Sequence, residues 1–252
     1  MFKELHHAAA DPQVAGWQAY VVDQGWDRFT AEDHETWDIL YRRQTDLLQG
    51  RIVARFMDGL RLVGLDDGGI PDLGRLNRRL QPLTGWRCVA VAGLVPDEAF
   101  FAMLATRVFP IGNFIRTRAE LDYLEEPDCF HDLYGHVPML ADPAVAQAMQ
   151  RFGATGEKAI AAGEGDKVAR LYWHTIEFGL TREEGEIRIL GAGLASSFGE
   201  AAKSLEDPAI ERRRFTPETA VATPYRHDAM QPLYLVADGM DQVVDALSGP
   251  LP

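Results

Sequence analysis

The chain has 252 residues, 46% hydrophobic and 25% charged, a balance ordinary for a soluble globule and long enough for a sizeable core without disulfides. Its formal net charge of −13 excludes a nucleic-acid footprint, which needs clustered Lys and Arg. No run of about 18 apolar residues is present to span a membrane, the N-terminus lacks the apolar segment of a signal peptide, and Cys88 and Cys129 form no metal-type pair, which together suit a cytoplasmic protein.

In chain order, residues 1–30 read as an extended arm punctuated by Pro and Gly, with His6 and His7 in a solvated, poorly ordered terminus. A long helix is expected from Ala31, where Trp37, Leu40, Tyr41, Leu47 and Leu48 recur at helical spacing. A second is expected from about Ile52 to Val63 and a short third opening at Pro71-Asp72. Arg87 to Val91 alternates as a strand, and Gly93 ends it. Pro96-Asp97-Glu98 opens a helix carrying Phe100, Met103, Leu104 and Val108, which Pro110 and Gly112 end. Asp142-Pro143 has the pattern of an N-cap and first turn and starts a helix through Val145 and Met149. Lys167 to Leu180 reads as one helix. Arg188 to Leu190 reads as a short strand leading into Gly191-Ala192-Gly193, Ser197 to Leu205 as a helix, Leu233 to Val236 as a strand, and Asp241 to Leu247 as a closing helix. The one basic cluster, Glu211-Arg212-Arg213-Arg214, is expected on the exposed surface. The sum is a mostly α fold with a few short β-strands, a single domain over residues 1–252, with no βαβ alternation. Gly191-Ala192-Gly193 lacks the third glycine and the following helix start of a dinucleotide fingerprint.

The chemistry concentrates in two segments. His131 and His136 lie in Phe130-His131-Asp132-Leu133-Tyr134-Gly135-His136-Val137-Pro138, and Glu177 lies in Tyr172-Trp173-His174-Thr175-Ile176-Glu177-Phe178-Gly179. Two imidazoles and one carboxylate can hold one face of an octahedral iron(II) and leave the other face open to dioxygen. On a straight α-helix a five-residue step turns roughly 140°, so the two histidines would point apart. Pro138 would clash with the Tyr134 carbonyl in a continuing helix and Gly135 is permissive. His136 is therefore placed at a bent or terminating helix end, with the bend between Gly135 and Pro138 swinging its imidazole back. Glu177 sits among Ile176, Phe178 and Leu180 and needs a cation if buried. That cation is a metal or, on the plainer reading, Arg170 or Arg182. His174 reads as a structural histidine.

The run Glu126-Pro127-Asp128-Cys129 through Pro138 resembles the signature of the pterin-dependent aromatic amino acid hydroxylases, as do Tyr172 through Leu180, Gly191 through Glu200, and Gln231-Pro232-Leu233-Tyr234. The motifs come in the family's order and spacing, the similarity spans about residues 15–245, and it is nearest to the short bacterial phenylalanine-hydroxylating branch. The resemblance implies that His131, His136 and Glu177 ligate iron(II). It implies that Phe100 stacks on a tetrahydropterin, with Gly93, Leu94 and Val95 as the pterin loop and Asp132 and Tyr172 on the pterin side. It implies that Arg116 grips the substrate carboxylate, that Pro127, Trp173, Phe178 and Gly193 line the side-chain pocket, and that Ser196 lies near both the substrate and His131. Leu124, Pro110 and His227 depart from residues found in many relatives.

The implied activity is hydroxylation of L-phenylalanine to L-tyrosine with dioxygen and tetrahydropterin, tetrahydrobiopterin or a related bacterial pterin. One alternative is the same chemistry on tryptophan or tyrosine, against which Trp173 weighs for tryptophan. Another is a zinc hydrolase using the same three ligands, and a third a binding protein that lost turnover. No nucleic-acid or membrane partner is expected. Without a C-terminal heptad helix the chain is expected to be a monomer.

Overall fold

The computed structural model describes residues 6–122, 126–226 and 229–252. The chain path is set first by helix caps. The Thr30 hydroxyl accepts the Asp33 N–H while the Asp33 carboxylate accepts the Thr30 N–H, a reciprocal cap that satisfies two otherwise orphaned donors. Helix α1 (Ala31–Leu48) follows and buries Trp37, Leu40 and Leu48. Helix α2 (Ala54–Val63) ends at Gly64 in a left-handed cap. Asp72 caps α3 (Leu73–Thr84) through the Arg75 N–H. With twelve residues, α3 is longer than expected.

The expected arm is more structured than its composition suggested. Residues Gly16–Tyr20 form a 3₁₀ turn and Val21–Val22 form strand β1. The N-terminal histidines are docked as well. The Leu94 N–H donates to the His6 carbonyl, the Ala8 N–H donates to the Leu94 carbonyl, and His6 Nδ1 lies 3.0 Å from Glu126 Oε2. Backbone pairing with Leu94 and the His6–Glu126 contact tie down this segment, while the two histidine side chains stay exposed as expected.

Strand β2 (Arg87–Val91) pairs antiparallel with β1 and parallel with β3 (Val108–Gly112), and α4 (Asp97–Ala105) joins the parallel pair. Two expectations are corrected here. The α4 helix ends at Ala105 rather than running through Val108, because Arg107 takes a left-handed φ of 58° and turns the chain. Also, β2–α4–β3 is a βαβ unit where none was expected. Pro110 was read as a helix stop, but it lies in an edge strand, where a missing N–H is tolerated.

Cys129, Phe130 and a π-turn at His131–His136 lead into α5 (Val137–Leu140), and Asp142 then caps α6 (Pro143–Ala161) through the Ala144 and Val145 N–H groups. Helix α7 (Gly165–Tyr172) ends in a second π-turn, Trp173–Glu177. The expected single helix from Lys167 to Leu180 is thus broken, and Leu180 opens strand β4 (Leu180–Glu183). Strand β5 (Glu186–Ile189), helices α8 (Ala192–Ser196) and α9 (Phe198–Glu206), strand β6 (Glu211–Arg214), helix α10 (Pro217–Ala222), strand β7 (Leu233–Ala237) and helix α11 (Met240–Ser248) complete the order. A helix does start within Gly191-Ala192-Gly193, contrary to the sequence reading. The basic cluster is an edge strand of the second sheet, whose order is β5-β4-β7-β6.

The largest core cluster joins α1, α2, α3, α6 and the π-turn at His131–His136. Trp37 meets Phe130 edge-on at 5.2 Å, Phe130 stacks on Tyr134 at 4.9 Å, and Phe56 meets Tyr134 at 5.6 Å. The Tyr134 hydroxyl lies 3.0 Å from Thr45 Oγ1, so its polar tip is satisfied inside the core. These rings pin one face of the first π-turn into the core.

Candidate active site

The first π-turn corrects the expected bend. A π-turn closes its hydrogen bonds over five residues instead of four. It therefore advances less per residue than an α-helix, and a five-residue step returns toward its starting face. His131 and His136 are its first and last residues. Pro138 needs no break, because it occupies the first turn of α5, where an N–H is dispensable. The second π-turn carries Glu177 at its end, closed by the Phe178 N–H donating to the Trp173 carbonyl at 2.8 Å.

The two turns bring three donors together. His136 Nε2 lies 3.2 Å from His131 Nε2 and 3.0 Å from Glu177 Oε1, and His131 Nε2 lies 3.7 Å from Glu177 Oε2. Three ligands about 2.1 Å from one ion at right angles stand about 3.0 Å apart, so the spacing fits a single metal bound on one face. Burial pushes the His131 imidazole down to about 4, which keeps it neutral and able to ligate. Burial alone would raise the Glu177 carboxyl, but His136, His131 and the Tyr172 hydroxyl outweigh it and hold it at about 2. A neutral imidazole and an ionised carboxylate are the protonation states a metal requires. Glu177 is thus not paired with Arg170, which donates to the Val221 carbonyl. His174 is structural, with Nε2 3.0 Å from the Thr223 carbonyl oxygen.

Gly191 packs against the turn that carries Glu177. A Cβ there would lie 2.2 Å from the Glu177 carbonyl oxygen, so only glycine permits this approach. From the same segment, Ser196 Oγ lies 2.9 Å from His131 Nδ1 and donates to the Ala192 carbonyl. A histidine ligand needs such an outer partner to fix its ring. Ser196→Ala is expected to weaken iron(II) affinity about 10- to 100-fold, measured by anaerobic titration.

The three donors lie at one side of a cavity of about 480 Å³, on whose wall His131 and Glu177 stand. All six residues expected at the substrate, Arg116, Pro127, Trp173, Phe178, Gly193 and Ser196, line it. Of the residues expected at the pterin, Leu94, Phe100 and Tyr172 line it. Phe100 is half-buried and meets Tyr172 edge-on at 5.4 Å. Gly93, Val95 and Asp132 are not on the wall. Gly93 has φ 131°, and a Cβ there would lie 2.4 Å from the His6 carbonyl oxygen. Asp132 Oδ2 accepts the Gly112 N–H, and burial raises its carboxyl to about 7. Leu124 and His227 lie outside the described residues.

Asp128 was not singled out from the sequence. It is fully buried and accepts the Arg116 Nε–H and Nη2–H at 2.8 and 2.9 Å, together with the Arg116 and His131 backbone N–H groups. Burial pushes its carboxyl up, but the Arg116 charge and these bonds hold it below the usual range. One carboxylate therefore positions both the cavity arginine and the start of the metal-bearing turn. Its signal was available, since an acid three residues before the first histidine needs a reason to be there. Tyr225 and Gln231 also line the cavity and were not assigned a role.

Three donors to one side and open space on the other place the protein among mononuclear non-haem metal enzymes. Residues 26–249 match the profile of the biopterin-dependent aromatic amino acid hydroxylases, and the chain belongs to that family. It is 49% identical over 221 residues to a phenylalanine-4-hydroxylase of Caulobacter vibrioides, an alignment covering 88% of this chain and 75% of that one. It is 38% identical to a tyrosine 3-monooxygenase of Rattus norvegicus, covering 87% of this chain and 44% of that one. The structure of Chromobacterium violaceum phenylalanine hydroxylase with iron(III) and 7,8-dihydrobiopterin superimposes with a TM-score of 0.87 at 44% identity, over 90% of this chain and 83% of that one.

Proposed function

We infer that the chain is a phenylalanine 4-monooxygenase that converts L-phenylalanine, dioxygen and a tetrahydropterin into L-tyrosine and an oxidised pterin at a mononuclear iron(II). The observation that carries this reading is the convergence of His131, His136 and Glu177 beside one large cavity. The identity to bacterial phenylalanine-4-hydroxylases, 40–49%, supports phenylalanine over tyrosine, for which the relatives are 37–38% identical.

In this reading the iron, when bound, supplies dioxygen activation, and the pterin supplies two electrons. One oxygen atom goes to the para carbon of the ring and the other leaves with the pterin. The protein orients the partners and keeps water away. His131, His136 and Glu177 hold the metal on one side. Arg116, already forked onto Asp128, uses its remaining N–H groups for the substrate carboxylate. Trp173, Phe178 and Pro127 enclose the aromatic ring, and Phe100 offers its face to the pterin. Leu94 borders the pterin, and Gly93 lets that loop approach the arm.

Among the described residues no helix is long and apolar enough to cross a membrane, and both cysteines are buried free thiols. The net charge of −13 favours dispersed molecules, and buried free thiols suit a reducing compartment; the reading is of a cytoplasmic monomer, tested by light scattering at working concentration.

The test is product formation from phenylalanine, tryptophan and tyrosine, with iron(II), pterin and oxygen each omitted in turn. Tyrosine from phenylalanine is expected only with all three present. Hydrolytic turnover with zinc and no hydroxylation would instead support the zinc-hydrolase reading. Trp173→Phe is expected to widen the cavity and raise activity on tryptophan relative to phenylalanine by about tenfold. An unchanged ratio would show that Trp173 is not a wall of the ring pocket.

A further inference from the structure

Trp173 is held in the cavity wall by contacts of two kinds. Its ring lies between Tyr225, stacked at 4.2 Å and 16°, and Phe178, tilted at 4.5 Å and 30°. Such stacking fixes the plane of an indole but is nearly indifferent to which edge faces which way. The edge is set by a single hydrogen bond, from Trp173 Nε1–H to Gln231 Oε1 at 3.3 Å. An indole nitrogen is a donor only, and leaving it unpaired in a closed site is unfavourable.

Gln231 is placed to be a selective acceptor. It is 3% exposed. Its Nε2 donates to the Arg226 and Ala229 carbonyl oxygens, so its amide cannot turn over without setting a nitrogen against the indole N–H. Its backbone N–H donates to Glu200 Oε1, which also accepts the Tyr234 hydroxyl. The side chain that orients the indole is thus clamped at both ends, and it shares the cavity wall with Trp173.

We propose that Gln231 is a specificity-determining positioning residue, which fixes the orientation of the Trp173 indole and thereby the shape of the pocket that takes the substrate's aromatic ring. It acts through Trp173, with no bond to the substrate. The inference rests on the reading of the chain as a phenylalanine hydroxylase and adds to it the residue that sets ring selectivity.

The test is a double-substitution cycle read as the ratio of kcat/KM for phenylalanine to kcat/KM for tryptophan. Gln231→Met keeps the volume and removes the acceptor. Gln231→Asn keeps an amide to bond the loop carbonyls but withdraws its oxygen from the indole, and it serves where the Met variant does not fold. Either is expected to lower the ratio about fivefold in the native background and by less than about twofold in a Trp173→Phe background, which has no N–H to orient. Equal shifts in the two backgrounds, or no shift in the native one, would overturn the proposal while leaving the hydroxylase reading intact. Absence of tyrosine formation by the unsubstituted enzyme would overturn the hydroxylase reading, and the proposal with it.

Discussion

Glu177→Ala, His131→Ala and His136→Ala are each expected to abolish stoichiometric iron(II) binding and to lower tyrosine formation by at least about 10³-fold. The fold should persist. Removing the Glu177 carboxylate leaves two imidazoles, and burial holds His131 neutral near pH 7, so no stranded ion is created there. The rings that pin the first π-turn, Phe130 and Tyr134, lie on its core side, away from the metal. Thermal unfolding of the metal-free variants is therefore expected to fall within about 5 °C of the metal-free native protein. A variant that binds iron(II) with native stoichiometry would remove that residue from the ligand set. Added iron(II) should raise the melting temperature of the native chain and leave the three variants unmoved, because only a folded site binds the metal.

Arg116→Lys is expected to raise KM for phenylalanine about 10- to 100-fold while kcat falls less. The guanidinium makes two parallel bonds to Asp128 and still has N–H groups for the cavity. An ammonium has the charge without the fork, so it can satisfy Asp128 or the substrate carboxylate but not both in the same geometry. Asp128→Asn should be more damaging to the fold, by about 3 kcal/mol or more, since it takes away the carboxylate that forks onto the Arg116 guanidinium, which is 7% exposed. An unchanged KM in Arg116→Lys would mean that the substrate carboxylate is bound elsewhere.

The parts of the fold written in local chemistry were legible. The start of α6 could be read because Asp142-Pro143 is a local cap, and α1 because its residues repeat at helical spacing. The π-turns could not be read that way. Spacing arguments assume about 100° per residue, and the widened turns are imposed from a distance, by Trp37 and Phe56 on the Phe130–Tyr134 pair and by Gly191 against Glu177. His131, His136 and Glu177 do converge, but the sequence reading attributed the five-residue step to a bend at Pro138 rather than to the π-turn. Strand β3 was hidden for a related reason. Val108 fits the apolar stripe of α4, and only the left-handed Arg107 and the pairing with β2 separate the two. Cavity walls drawn from remote loops left little signal. Gln231 stands 58 residues from Trp173, and nothing local marks it or Tyr225 as a neighbour of that ring. Asp128 lay within a recognised run, yet its partner Arg116 is twelve residues away and the pairing depends on the fold.

The central claim, that the chain inserts one atom of dioxygen into the phenylalanine ring, is tested most directly by turnover under ¹⁸O₂ with iron(II) and tetrahydropterin, followed by mass analysis of the product. Tyrosine about two mass units heavier than that formed in ordinary oxygen is the predicted result. Tyrosine carrying oxygen from water, or no tyrosine from an iron-loaded enzyme, would contradict it.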